Sequence, residues 1–168
     1  EAGLLNKSSV TTSGSLTVNA TDDSNITAVS GAASLAGAGG QGGGDAALIG
    51  ASLAKNGVEN STKALIDNST VKNASSIDLT ASSKSKINAY TIAGGVGVAG
   101  GQGGGVAGAL EGAGSYNTIE NTVQASILTS KITNVGAITQ TATDETKIIA
   151  VAGAGTLAGA GGQGGGVA

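Results

Sequence analysis

The sequence contains no Pro, Cys, Met, Trp, Phe, His or Arg, and its only aromatic residues are Tyr90 and Tyr116. Without Cys and His it lacks thiol nucleophiles, disulfides, the commonest metal ligands and the commonest general base. Without Arg it lacks bidentate recognition of phosphate and carboxylate. A net charge of −3 disfavours nucleic acid as a partner. We therefore expect no enzyme activity, no catalytic, cofactor-binding or metal-binding residue, and no cofactor.

The apolar residues that are present follow a period of two. Hydrophobic residues make up 39% of the chain and no Pro interrupts it, which is unlike a disordered linker. Apolar and polar residues alternate in Leu16–Ala20 and again in Ile77–Ala81. Such alternation places the apolar residues on one face of a β-strand, whereas a helix requires a period near 3.6. The sequence therefore predicts an all-β fold.

An internal repeat organises the whole chain. The block Gly-Gly-Gln-Gly-Gly-Gly occurs at residues 39–44, 100–105 and 161–166, with a spacing of 61 each time. The same spacing relates Leu5 to Ile66 and Asn56 to Asn117, and no insertion or deletion is needed. The repeat divides the chain into the end of one unit, two complete units and a partial unit, which are residues 1–14, 15–75, 76–136 and 137–168.

A strict repeat with β patterning predicts a single β-solenoid segment, in which successive coils stack and bury a thin core. Because a β-helix coil commonly takes roughly 20 residues, we expect about three coils in each unit. A flat stack of hairpins is the alternative architecture. The residues predicted to point inward are Leu16, Val18, Ile26, Ile66, Val71, Ile77, Leu79, Ile87, Ile119, Ile127, Ile132, Ile138 and Ile148.

The glycine blocks match two ligand-binding patterns only superficially. Gly37–Gly42 fits the dinucleotide pattern GxGxxG, but no helix-forming segment follows it. The calcium β-roll pattern requires an acid near each block, yet Asp45 is replaced by Val106 and Val167 in the other copies. We expect neither ligand. Whether the block forms a corner, a strand or a polyproline-II-like stretch stays open at this point.

One uncharged run is long enough to span a bilayer as a helix, since 24 residues separate Lys86 from Glu111 without a charge. The run consists mostly of Gly and Ala, whose hydrophobicity is weak, and it repeats in every unit. We therefore expect no membrane insertion by this segment.

The acidic pairs Asp22-Asp23 and Asp144-Glu145 occupy equivalent positions, and the middle unit has Ser83-Lys84 there. This exchange indicates a solvated turn, and neighbouring residues of a strand would in any case point to opposite faces. We expect no catalysis at these pairs. Corner positions are predicted for four Asn residues of the complete units, which are Asn56, Asn60, Asn117 and Asn121.

The stretch Ile66–Ala81, followed by Ser85–Ala89 and a Gly/Ala run, resembles the repetitive passenger regions of filamentous-haemagglutinin-like adhesins. These are giant surface proteins of Gram-negative bacteria that are exported by type V secretion. The resemblance implies a right-handed parallel β-helix, export to the outer-membrane surface and a role as a non-catalytic adhesin shaft or extracellular filament. It also implies binding of host-cell or glycan receptors through other regions.

Two other functions are considered. A solenoid face that binds carbohydrate or ice is suggested by Thr139, Thr141 and Thr143, which alternate along one predicted strand. A polysaccharide-cleaving β-helix is the enzymatic alternative, although no Arg or Lys base beside carboxylates is apparent.

We also expect the chain to be part of a longer repetitive protein. Its two predicted edges bear almost no charge and no Pro to guard them. We therefore expect residues 1–168 alone to stack end to end or aggregate, with further repeats or identical subunits as natural neighbours.

Overall fold

The computed structural model describes all residues from Glu1 to Ala168. Strands cover 83% of the chain and no helix is present, which confirms the all-β prediction. In chain order the strands are β1 (Ala2–Leu4), β2 (Ser9–Thr11), β3 (Ser15–Gly40), β4 (Gly44–Asp67), β5 (Thr70–Lys72), β6 (Ser76–Gly101), β7 (Gly105–Leu128), β8 (Lys131–Thr133), β9 (Ala137–Gly162) and β10 (Gly166–Val167).

The strands form three parallel sheets, with the orders β1-β4-β7-β10, β2-β5-β8 and β3-β6-β9. Paired residues lie one repeat apart, as Ser9 with Thr70 and Gly105 with Gly166 show. Each complete 61-residue unit therefore contributes one strand to each sheet.

The prediction of about three coils per unit is wrong, because β3 and β4 run without interruption for 26 and 24 residues. Asp22-Asp23 lies within β3 and forms no turn. The corners fall at other residues, where φ is 46° at Asn68, 60° at Asn73 and 54° at Asn134. Turn propensity is a local preference, and pairing with equivalent residues of the next unit overrides it inside the strands.

The first strand departs from the 61-residue register by one residue. Leu4 pairs with Ile66, although the sequence repeat matches Ile66 with Leu5. Two consecutive residues of positive φ follow, Asn6 at 59° and Lys7 at 65°. They absorb the one-residue difference before β2 resumes the 61-residue spacing.

The chain forms two compact units. Unit 1 consists of residues 1–25, 57–86 and 118–147, and unit 2 of residues 26–56, 87–117 and 148–168. Unit 1 has an aliphatic core in which Ile66, Val71, Ile77 and Leu79 are fully buried. The corresponding cluster in unit 2 consists only of Ala residues, which are Ala46, Ala99 and Ala107.

Most residues predicted to point inward are buried to some extent. Val18, Ile66, Val71, Ile77, Leu79 and Ile87 are buried. Leu16, Ile127 and Ile132 pack against the core, and Ile26 and Ile119 are half-buried. The exceptions are Ile138 and Ile148 on β9, which are exposed.

The glycine block forms a tight corner between two long strands. The Gly43 N–H donates to the Gly40 carbonyl at 3.3 Å across Gln41 and Gly42, and β4 begins at Gly44. The φ of Gly43 is +97°, a value that side-chain-bearing residues rarely adopt. A Cβ atom at Gly43 would lie 2.6 Å from the carbonyl oxygen of Gly104 in the next unit. The stacked corners therefore leave no room for a side chain at this position.

We predict that Gly43→Ala destabilises the fold by about 1–3 kcal/mol, because it adds backbone strain and a clash with the next corner. Gly42→Ala is the matched control, since a Cβ atom at Gly42 would meet nothing within 4 Å. Urea unfolding followed by far-UV circular dichroism measures both variants. Equal stability of the two would contradict the stacked-corner explanation.

Candidate functional site

A row of polar side chains occupies equivalent positions of three neighbouring strands of unit 1, half-buried at its first residue, buried at its second and exposed at its third. Asp22 of β3, Ser83 of β6 and Asp144 of β9 form this row, and Ser83 is fully buried. The Ser83 hydroxyl donates to Asp22 Oδ2 at 3.5 Å. We call these three residues the inner polar row.

The facing sheet of unit 1 supplies the remaining donors. Asn60 Nδ2 of β4 donates to Asp22 Oδ2 at 2.7 Å and to Ser24 Oγ at 3.0 Å. Asn121 Nδ2 of β7 donates to Asp144 Oδ1 at 2.9 Å. Hydrogen bonds of this kind satisfy carboxylates that would otherwise be costly to bring out of water. The inner polar row therefore joins the β3-β6-β9 sheet to the β1-β4-β7-β10 sheet within unit 1.

The acidic pairs are thus strand residues and not parts of a solvated turn. Asp22 points inward to Asn60, whereas Asp23 is exposed. The two carboxylates of this pair cannot act together on one substrate, because they lie on opposite faces of the strand.

On the outer face of the same strands, Asp23, Lys84 and Glu145 form an outer charged row. Lys84 Nζ lies 3.6 Å from Glu145 Oε2, and these side chains are 59% and 63% exposed. Such an exposed ion pair contributes about 0–1 kcal/mol. The sequence already contained the signal for this row, namely acidic pairs that alternate with a Ser-Lys pair at the repeat spacing.

The four Asn residues predicted at corners are strand residues. Asn56 and Asn60 lie within β4, and Asn117 and Asn121 within β7. Asn56 Nδ2 donates to Asn117 Oδ1 at 2.7 Å, so these two residues form an asparagine ladder across neighbouring units. Periodicity alone did not separate these positions from corners, because Asn favours both turns and ladders.

Unit 2 presents rows of exposed aliphatic and aromatic residues. Only Asp45, Lys55 and Glu111 carry charge within this unit. The alternation of apolar and polar residues does not reveal these rows, because apolar residues lie on both sides of the strands here. The rows that recur at the repeat spacing are Val29-Tyr90-Val151, Leu35-Val96-Leu157 and Ile49-Leu110.

Two polar atoms in the interior of unit 2 have no hydrogen-bond partner. They are Thr91 Oγ1 and Glu111 Oε2. The other carboxylate oxygen of Glu111 accepts a hydrogen bond from the Ser34 hydroxyl. Glu111 stands where the preceding unit has Gly50, and its carboxylate fills the space that Gly50 and Gly95 leave open. Neither unpartnered atom is joined to a second titratable group.

The glycine corners lack the geometry of the ligand-binding motifs that their sequence resembles, and the uncharged run forms strands. A strand and not a helix follows Gly37–Gly42, so the dinucleotide pattern lacks its helix. Asp45 is exposed beside a glycine-lined groove of about 730 Å³, with Val106 and Val167 at the equivalent rim positions. No group of three or more His, Cys, Asp or Glu side chains is arranged to hold a metal ion. Nor does the structure contain a helix of the length and apolarity needed to cross a membrane.

The threonine row lies on β9, where all three residues are exposed. The equivalent residues of the neighbouring strand β6 are Asp78, Thr80 and Ser82. The outer face of unit 1 therefore has no regular threonine lattice.

We predict that Asn60→Asp destabilises the protein by about 2–3 kcal/mol at neutral pH, because it removes a donor and places a carboxylate against Asp22. Asn56→Asp is the matched control on the same strand, since Asn117 can turn its amide to donate to the new carboxylate. Urea midpoints of the two variants give the comparison. An equal loss in both would show that the inner polar row has no special energetic role.

Comparisons with protein-family models, with curated proteins and with solved structures find no significant match to this chain. Function is therefore inferred from the geometry and from the repeat pattern.

Proposed function

We propose that this chain is a non-catalytic shaft segment of a bacterial surface adhesin or extracellular filament. In this proposal it folds as a right-handed parallel β-solenoid in which each 61-residue unit forms one coil. The paired strands one repeat apart support the solenoid. The resemblance of the repeats to adhesin passenger regions supports the adhesin role, the right hand and the location at the outer-membrane surface.

One observation carries the shaft interpretation, and it concerns identical residues at equivalent positions. Ile77 and Ile87 on the central strand β6 are 0% exposed, whereas their equivalents Ile138 and Ile148 on the outermost strand β9 are 48% and 45% exposed. The residue type and its place in the repeat are the same, so the neighbouring strands make the difference. Residues of the stack thus become fully buried only when strands lie on both sides of them, as is typical of solenoid repeats.

The partners that follow are further repeats of the same chain, or identical subunits that stack end to end. The 26-residue strand β9 has an open edge of backbone N–H and C=O groups. A parallel strand of the same repeat type provides the matching hydrogen bonds. A long unprotected edge of this kind is not typical of a protein that works as an isolated domain.

The arrangement of the polar groups also favours a structural role. In unit 1 the inward carboxylates of Asp22 and Asp144 are engaged by Asn60 and Asn121. These hydrogen bonds join the sheets, so the inward carboxylates serve the packing of the strands.

The solenoid proposal predicts how the particle grows when units are added. Two extra copies of residues 15–136, inserted after Gly136, add four units in which acidic and Ser-Lys strands alternate. They should lengthen the particle by about 19 Å at about 4.8 Å per strand level, with an unchanged cross-section. Small-angle X-ray scattering measures both quantities. The control carries two inserts of the same composition in reversed order and should give no regular extension.

Growth of about 14 Å per added unit would correspond to three strand levels in each unit and would contradict the proposal of one coil per unit. An increase in cross-section without added length would contradict the stacked shaft altogether.

The proposed location has a separate test in the bacterium that encodes the chain. Antibodies against residues 76–136 should label intact cells, and protease added outside the cells should remove the signal, because a surface shaft is accessible from the medium. A cytoplasmic protein serves as the control for cell integrity. Labelling only after cell lysis would contradict the surface location.

A further inference from the structure

The two outermost strands of the β3-β6-β9 sheet carry acidic pairs in equivalent positions. We propose that the β9 edge accepts a strand with a Ser-Lys pair and rejects the chain's own β3. This inference rests on the proposed stacking of repeats and decides between its two partners. The neighbour is then a repeat of the β6 type, and not an identical subunit that presents β3.

The sheet itself shows which neighbour an acidic pair accepts. β6 lies between the two acidic strands and carries Ser83-Lys84. On the inner side, the Ser83 hydroxyl donates to Asp22 Oδ2 at 3.5 Å. On the outer side, Lys84 Nζ lies 3.6 Å from Glu145 Oε2. The Ser-Lys pair therefore complements an acidic strand on each of its two edges.

Docking of β9 against β3 of a second copy, in the repeat register, reverses this complementarity. Asp144 would lie opposite Asp22 inside the stack, and Glu145 opposite Asp23 outside, at a strand spacing of about 4.8 Å. Exposed like charges at equivalent positions are tolerated in this structure, as Glu59 beside Glu120 and Lys86 beside Lys147 show, so the outer pair costs little. The inner pair is the costly one, because two like charges are brought together out of water without a new donor.

A slip of register does not remove this conflict without another cost. Moving the docked strand by one residue turns its inward set to the solvent face. Ile138 and Ile148 would then face the wrong side of the new neighbour, and their burial is the gain that stacking offers. The acidic pairs thus disfavour the pairing of β9 with a second acidic strand in the repeat register.

A strand of the β6 type resolves both contacts. Its Ser hydroxyl would donate to Asp144 as Ser83 donates to Asp22, and its Lys would pair with Glu145 as Lys84 does. Acidic levels and Ser-Lys levels therefore alternate in the stack.

The test changes which strands stand at the two edges and measures self-association by sedimentation velocity at low ionic strength. A chain with one extra copy of residues 76–136, inserted between Gly14 and Ser15, has a Ser-Lys strand at its first edge and the acidic β9 at its last. Acidic and Ser-Lys strands still alternate inside it, and far-UV circular dichroism checks that the strand content is retained. We expect this chain to self-associate at least tenfold more tightly than the wild type.

A chain with residues 15–136 repeated once after Gly136 is the matched control. It is longer by two units and keeps the alternation inside, but both of its edges are acidic strands, as in the wild type. Its association should stay at the weak level of the wild type. The single insert contains three Lys and three acidic residues, so it leaves the net charge at −3 and charge alone cannot account for its gain.

Two results would overturn the inference. Equal association of the wild type and the chain with one extra unit would remove the edge specificity. An equal gain in the chain with two extra units would assign the effect to length. The proposed shaft itself fails only if the chains with added units also fail to lengthen.

Discussion

The structure depends on parallel pairing between residues one repeat apart. Because this pairing places each residue next to its equivalent at one strand spacing, every side chain must be compatible with its own counterpart. Aliphatic residues meet this condition by forming buried rows, and asparagines meet it by forming ladders such as Asn56 with Asn117. Exposed carboxylates are tolerated, as Glu59 beside Glu120 shows, but inward ones do not meet the condition, since like charges repel strongly away from water. The alternation of Asp22, Ser83 and Asp144 is the solution in this chain.

The same constraint explains the invariant length and composition of the corners. Gly43, Gly104 and Gly165 adopt φ values of 97°, 91° and 89°, and a Cβ atom at Gly43 would already approach the next corner to 2.6 Å. A corner that repeats at every level has no lateral space into which a side chain could move. Glycine costs conformational entropy on folding, and the long ladders of hydrogen bonds on both sides offset that cost.

The two units use different chemistry under this common constraint. Unit 1 has large aliphatic residues in its core and a hydrogen-bonded polar network that includes Asn60 and Asp22. Unit 2 is packed with small residues and exposes aliphatic rows on its surface. Its buried Glu111 has one carboxylate oxygen without a partner, where the preceding unit has Gly50. Nothing in the structure explains this substitution.

The sequence alone determined the all-β class, the 61-residue spacing and most inward positions, because strand alternation and repeat spacing are directly visible in the order of residues. Only the tertiary structure decided that each unit supplies one strand per sheet, since a period of two is identical in one strand of 26 residues and in several short ones. It also placed Asp22 inside and Asn60 within a strand, against their local preference for turns. Ile138 is exposed although its pattern matches that of buried Ile77. Burial depends on which strands lie beside a residue, and that is a property of the assembled sheet.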